Sequence, residues 1–150
     1  MGGKFFEDWD EGAEYLTPSR TMTETDVVMF AAMSGDYNEL HTSEEYMKNT
    51  QFGRRLVHGL LGLAVSHGLL FRTGLLEGTS IAFLEIESWR FQAPIFFGDT
   101  IRVKIKVAEK RASRSKPDRG IVKLYLEVIN QEGTVVQSGF KTLMMRRRPS

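Results

Sequence analysis

Gly59-Leu60-Leu61-Gly62-Leu63-Ala64-Val65-Ser66-His67-Gly68-Leu69-Leu70-Phe71 is apolar on nearly every face of a helix. A helix without a polar stripe has to be wrapped by the rest of its chain. Gly62 and Gly68 each cost about 1 kcal/mol against alanine in a helix interior, which predicts close approach of another backbone. Ser66, His67 and Gly68 interrupt the run. It therefore falls well short of the ~18 unbroken apolar residues that suggest a membrane span.

The C-terminal half of the chain supplies the wrapping. Leu84 and Ile86 alternate with Glu85 and Glu87. Ile101, Val103, Ile105 and Val107 alternate with Arg102, Lys104 and Lys106, and Val122, Leu124, Leu126 and Val128 with Lys123, Tyr125 and Glu127. A fourth strand runs from about Val135 to Met145. Gly98-Asp99, Lys116-Pro117-Asp118-Arg119-Gly120 and Asn130-Gln131-Glu132-Gly133 punctuate these strands as turns. Half-buried alternation with short turns predicts an antiparallel meander. One long apolar helix before a meander predicts an α+β fold, with the sheet curled around the helix.

Upstream, residues 1–22 read as an extended entry segment containing Pro18. Thr23 and Asp26 form a capping box for a helix carrying Val27, Phe30, Ala31 and Ser34, and Gly35 is its stop. Thr42-Ser43-Glu44-Glu45 is a second capping box, opening a short helix through about Asn49. Asp36 to His41 is then a loop pinned at both ends.

A chain of 150 residues fits one domain, 1–150, and buries about 68–70% of its unfolded surface. The net charge of +1 predicts no strong pull toward nucleic acid or membrane. The absence of cysteine excludes disulfides, thiolate metal sites and a cysteine nucleophile. Met1-Gly2-Gly3-Lys4-Phe5-Phe6 lacks the apolar core of a signal peptide, and Phe6 stands where a myristoylation site has Ser or Thr. A soluble, cytoplasmic protein is expected.

Asp36 and His41 place a carboxylate and an imidazole close enough in sequence to share a water. Gly59 places a free backbone N–H at the start of the apolar helix, where the dipole favours negative charge. An acid/base pair and an oxyanion-binding amide are the parts needed to add water to a polarised double bond, or to remove it. The plainer reading makes Asp36 an Asx turn and His41 a packed side chain. Asn38 either braces the loop or contacts the pair. His58 reads as structural, orienting the turn before the helix, more than as a lining residue. His41, His58 and His67 match no compact ligand motif, so no metal is expected.

Ser34-Gly35-Asp36-Tyr37-Asn38-Glu39-Leu40-His41 and Phe52-Gly53-Arg54-Arg55-Leu56-Val57-His58-Gly59 together resemble the hydratase-2 motif of MaoC-like proteins, which include the (R)-specific enoyl-CoA hydratases. Ala93-Pro94-Ile95-Phe96-Phe97-Gly98-Asp99-Thr100 and Ser113-Arg114-Ser115-Lys116-Pro117 also look like that family, and the resemblance extends from about residue 5 to 145. It implies a hot-dog fold, a homodimer or higher oligomer, and acyl-CoA or acyl-carrier-protein thioester substrates, with no cofactor beyond that thioester. It implies reversible hydration of trans-2-enoyl thioesters. Asp36 and His41 would hold one water, its oxygen attacking C3 while the pair returns a proton to C2; which of them is base stays open. Gly59 would meet the thioester oxygen.

Glu39 replaces the family's usual Pro, and His67 stands where many members have Ser. Ser66 and His67 are therefore candidate substrate contacts, beside an acyl pocket near Leu60, Leu63 and Phe83. Arg54 and Arg55, with the basic loop from Lys110 to Arg119, either reach CoA phosphates or are solvated charge. Arg146-Arg147-Arg148 reads as a solvated tail. Two other functions fit the fold: an acyl-CoA thioesterase, which would release free thiol, and a non-catalytic acyl-thioester binding domain.

Overall fold

The computed structural model describes residues 2–150. A 3-10 turn at Phe6–Asp8 leads into β1 (Glu14–Leu16) and β2 (Arg20–Thr21). The helices α1 (Glu24–Ser34), α2 (Glu39–Thr42), α3 (Glu44–Met47) and α4 (Gly59–Phe71) come next. The chain finishes with β3 (Ser80–Phe91), β4 (Thr100–Ala112), β5 (Arg119–Ile129) and β6 (Val135–Arg146). The sheet order is β1-β4-β5-β6-β3, with β2 added beside β4. Every pairing is antiparallel. None of the described helices is long and apolar enough to cross a membrane.

Period-two alternation decides which face of the sheet is covered. Ile105 lies opposite Leu126 and Val103 opposite Val128, and all four are buried. They form a core with Leu61, Val65 and Leu69 of α4. Full burial of each such side chain contributes roughly 1.5–3 kcal/mol, so α4 has no stable place except against this face. The close approach at Gly62 is made by side chains and not by another backbone: a Cβ there would lie 2.8 Å from Ile95 Cδ1 and 2.5 Å from Gln137 Nε2. At Gly68 a Cβ would meet nothing within 4 Å, so packing does not explain that glycine.

Several local expectations are corrected. Asp36 to His41 is not all loop, because the Asn38 side chain accepts a hydrogen bond from Leu40 N–H at 3.0 Å and caps the turn α2, which contains His41. Ser43, not Thr42, caps α3 by accepting from Tyr46 N–H. Thr42 instead donates to the carbonyls of Tyr37 and Asn38. The arginine tail is paired: Arg147 bonds Glu7 at 2.8 Å, and Arg148 bonds Asp8.

β3 departs furthest from the half-buried pattern. It pairs with β6 on one side only, through three register shifts, and both of its faces are largely open. Phe83 is 44% exposed, Leu84 47% and Phe91 55%. Among the described residues no layer covers those side chains fully.

Candidate active site

The site is built where α1 ends. Thr23 accepts from Asp26 N–H and Asp26 from Thr23 N–H, completing the expected box. Gly35 closes the helix in the left-handed region at φ 78°, a conformation that favours glycine. Asp36 comes next, half-exposed, and its Oδ1 accepts from Asn38 N–H at 3.2 Å. The Asx turn of the plainer reading is thus present, and it leaves Oδ2 free to face His41.

His41 is buried and locked. Its Nδ1 lies 2.8 Å from the Leu56 carbonyl oxygen. A carbonyl only accepts, so Nδ1 carries the proton and Nε2 presents a lone pair. That Nε2 is 3.8 Å from Asp36 Oδ2. The gap is too long for a direct hydrogen bond, and both atoms are acceptors while the carboxylate is ionised. A water donating one hydrogen to each satisfies both. Burial holds the His41 pKa below the ordinary 6.5; the Leu56 carbonyl opposes that shift, His58 reinforces it and Asp36 opposes it.

His58 touches both members of the pair. Its ring stacks on His41 with centroids 3.8 Å apart and planes 25° from parallel, and Phe30 of α1 meets its other side edge-on. Its Nε2 donates to the Asp36 carbonyl oxygen at 2.9 Å. His58 therefore fixes the backbone of one group and the ring plane of the other. Its Nδ1 is buried, with no hydrogen-bond partner among the described residues.

Gly59 is the first residue of α4 and directly succeeds His58. Its N–H is among the amides that an α-helix leaves without an internal partner. Its carbonyl accepts from Gln137 Nε2 at 3.0 Å, and Gln137 Oε1 accepts from Trp89 Nε1 at 3.2 Å. The first turn of α4 is thereby tied to β6 and β3. The missing Cβ at Gly59 leaves room for the Phe91 ring, which would lie 2.9 Å from it.

The other candidates lie apart from this cluster. Ser66 is buried against the core and donates to Leu63 O at 2.6 Å. His67 sits two turns along α4, with Nδ1 3.4 Å from Lys141 Nζ. Arg55 pairs with Glu44 and, at 2.8 Å, with Glu24. It thus bridges α1 and α3. Arg54 lies over the Phe96 ring, 3.7 Å from its centre. Gln137, which holds the first turn of α4, and Lys141, against His67, are contacts that the sequence candidates do not include.

Asp36, His41 and His58 also offer three metal-type donor atoms within 4.8 Å of one another. Two of the four imidazole nitrogens already donate to carbonyls, and His58 Nδ1 is enclosed. One imidazole lone pair and one carboxylate remain to face outward. That donor set suits a water better than a three-ligand catalytic metal.

A family model described as MaoC like domain matches residues 9–128. The chain belongs to the MaoC-like family. An (R)-specific enoyl-CoA hydratase from Rhodospirillum rubrum is 29% identical to this MaoC-like chain, over 96% of the chain and 93% of the relative. Protein MaoC of Klebsiella aerogenes is 35% identical over 75% of the chain, but the match spans only 33% of that longer protein. The crystal structure of a MaoC-like dehydratase from Rhodospirillum rubrum superimposes with a TM-score of 0.87 at 28% identity, covering 99% of this chain and 100% of the other. A Mycobacterium tuberculosis protein described as a double hotdog fold gives 0.82 at 20% identity, over 99% of this chain and 46% of the other. The fold is a hot-dog.

Proposed function

We propose that this MaoC-like chain adds water to trans-2-enoyl-CoA thioesters and runs the reverse dehydration of 3-hydroxyacyl thioesters. The observation that carries the reading is the His41 Nε2 lone pair facing Asp36 Oδ2 across 3.8 Å, with Nδ1 fixed on Leu56. Water held between the two gives a proton to His41 as its oxygen bonds C3. The resulting imidazolium lies beside the Asp36 carboxylate, which stabilises it. Negative charge builds on the thioester oxygen and is met by the Gly59 N–H. The dyad then returns a proton to C2, so atoms and charge balance over the cycle. No metal or redox cofactor enters; CoA is part of the substrate.

The likeness to the Rhodospirillum rubrum hydratase supports enoyl-CoA as the substrate class. The same reading takes a homodimer joined along β3. A long apolar edge strand with unpaired backbone groups is a template for pairing, and a second copy would cover Phe83, Leu84 and Phe91.

Crotonyl-CoA is the test substrate. Loss of enoyl absorbance without release of free thiol is expected. Thiol release would mark a thioesterase, and tight binding without turnover a binding domain; either outcome overturns the proposal.

A further inference from the structure

Beneath α4, well away from Asp36 and His41, β6 buries Lys141 to 1% exposure. Its Nζ lies 3.4 Å from His67 Nδ1, 5.4 Å from the Trp89 ring and 5.9 Å from the Phe83 ring. Among the described residues no carboxylate pairs with it, and burial alone draws its pKa down to about 8. It is still mostly a cation at neutral pH. A buried charge without an opposite charge is strongly unfavourable and calls for an anion.

The setting says where that anion would come from. Gly59, Leu63 and His67 recur at four-residue spacing along one side of α4. His67 lies eight residues beyond Gly59, a rise of about 12 Å along the helix. β3 tracks the same line. Phe91 packs against Gly59, and Phe83 packs against His67 with ring centres 4.9 Å apart. Gly59, Leu63 and His67 of α4 thus follow Phe91 and Phe83 of β3 along one line that ends at Lys141. The Lys141 ammonium can only donate, so His67 Nδ1 accepts and its proton sits on Nε2. Both side chains then carry donors at the far end of that line.

We propose that an acyl trough follows this line between α4 and β3 and that Lys141 and His67 form a carboxylate site at its end, so that the preferred thioesters are of medium length and carry a carboxylate at the end distant from CoA. This rests on reading Gly59 as the thioester end. The 12 Å separation excludes a four-carbon diacid from reaching both ends at once.

Binding of two saturated ligands, decanoyl-CoA and the mono-CoA thioester of decanedioic acid, measured by titration calorimetry, tests the site without any turnover. Wild type is expected to bind the carboxylate-ended ligand about tenfold or more tightly, the span of a hydrogen-bonded charge. Lys141→Met and His67→Phe should each collapse or invert that ratio. The second variant keeps the test alive if the first fails to fold. Equal or weaker binding of the carboxylate-ended ligand to wild type, or an unchanged ratio in a folded variant, overturns the proposal. Crotonyl-CoA turnover by the same wild-type sample reports separately on hydration. A carboxylate preference without turnover would sink the hydratase reading alone, and turnover without the preference would sink this one alone.

Discussion

His41 and His67 are both drawn inside, and burial is the largest influence lowering the pKa of each. Their neighbours then diverge. His41 has a carbonyl at Nδ1 and a carboxylate across from Nε2, so a second proton has somewhere to sit. His67 has an ammonium at Nδ1, and Lys141 lowers its pKa further. One imidazole is arranged to gain and lose a proton; the other is held neutral as a fixed donor. Burial alone does not distinguish them, and the sign of the nearest charge does.

The contrast is broken most directly by removing the proton carriers. Asp36→Asn and His41→Ala should each lower kcat/KM for crotonyl-CoA by about 10²–10⁴-fold. A loss of that size from His67→Gln, with His41→Ala near wild type, would reverse the assignment. His58→Phe keeps a ring beside His41 but strands the part-buried Asp36 carbonyl, a loss of about 1–3 kcal/mol for an unsatisfied polar group. It should lower kcat roughly tenfold by the same arithmetic at its lower end, and His58→Gln, which restores a donor, should recover part of it.

The pH profile sharpens the comparison. The acid limb of kcat/KM, which reports neutral His41, should have its midpoint below 6.5. Unfolded imidazoles titrate near 6.5 and the folded ones lower. Stability from this source is therefore full above about 6.5 and is lost as pH falls through the folded values. Denaturant midpoints measured from pH 8 to 5 should decline in that sense. The smallest effect is at Lys141→Met. Exchanging an unpaired buried ammonium for a thioether should leave stability unchanged or raise it by about 1 kcal/mol, and an NMR titration should find the His67 pKa moved upward.

Local signals made much of this legible. The Thr23 box, the Gly35 stop and the apolar run of α4 depend on neighbours within a few residues, and the structure places all three as the sequence predicts. Thr42 and Ser43 are both competent caps, and the choice between them turned on Thr42 finding the carbonyls behind it. Arg55 was not legible, since Glu24 is thirty-one residues away. Gln137 and Lys141 left a trace that went unused. They fall on the same strand parity as Leu143 and Met145, the buried face of β6. A polar residue at such a position announces a partner without naming it. The openness of β3 has no sequence signature, because alternation describes two faces and does not say whether either is covered.

The short β1 has a consequence during synthesis. It pairs with Lys104–Lys106 of β4, and Glu11 just before it accepts from Lys110 N–H across 99 residues. A growing chain adds about 5–20 residues per second, so β1 leaves the ribosome on the order of 5–20 seconds before its partner exists. Three residues headed by Glu14 make a poor template for stray strands during that wait. Its brevity keeps the nascent chain from finding the wrong neighbour first.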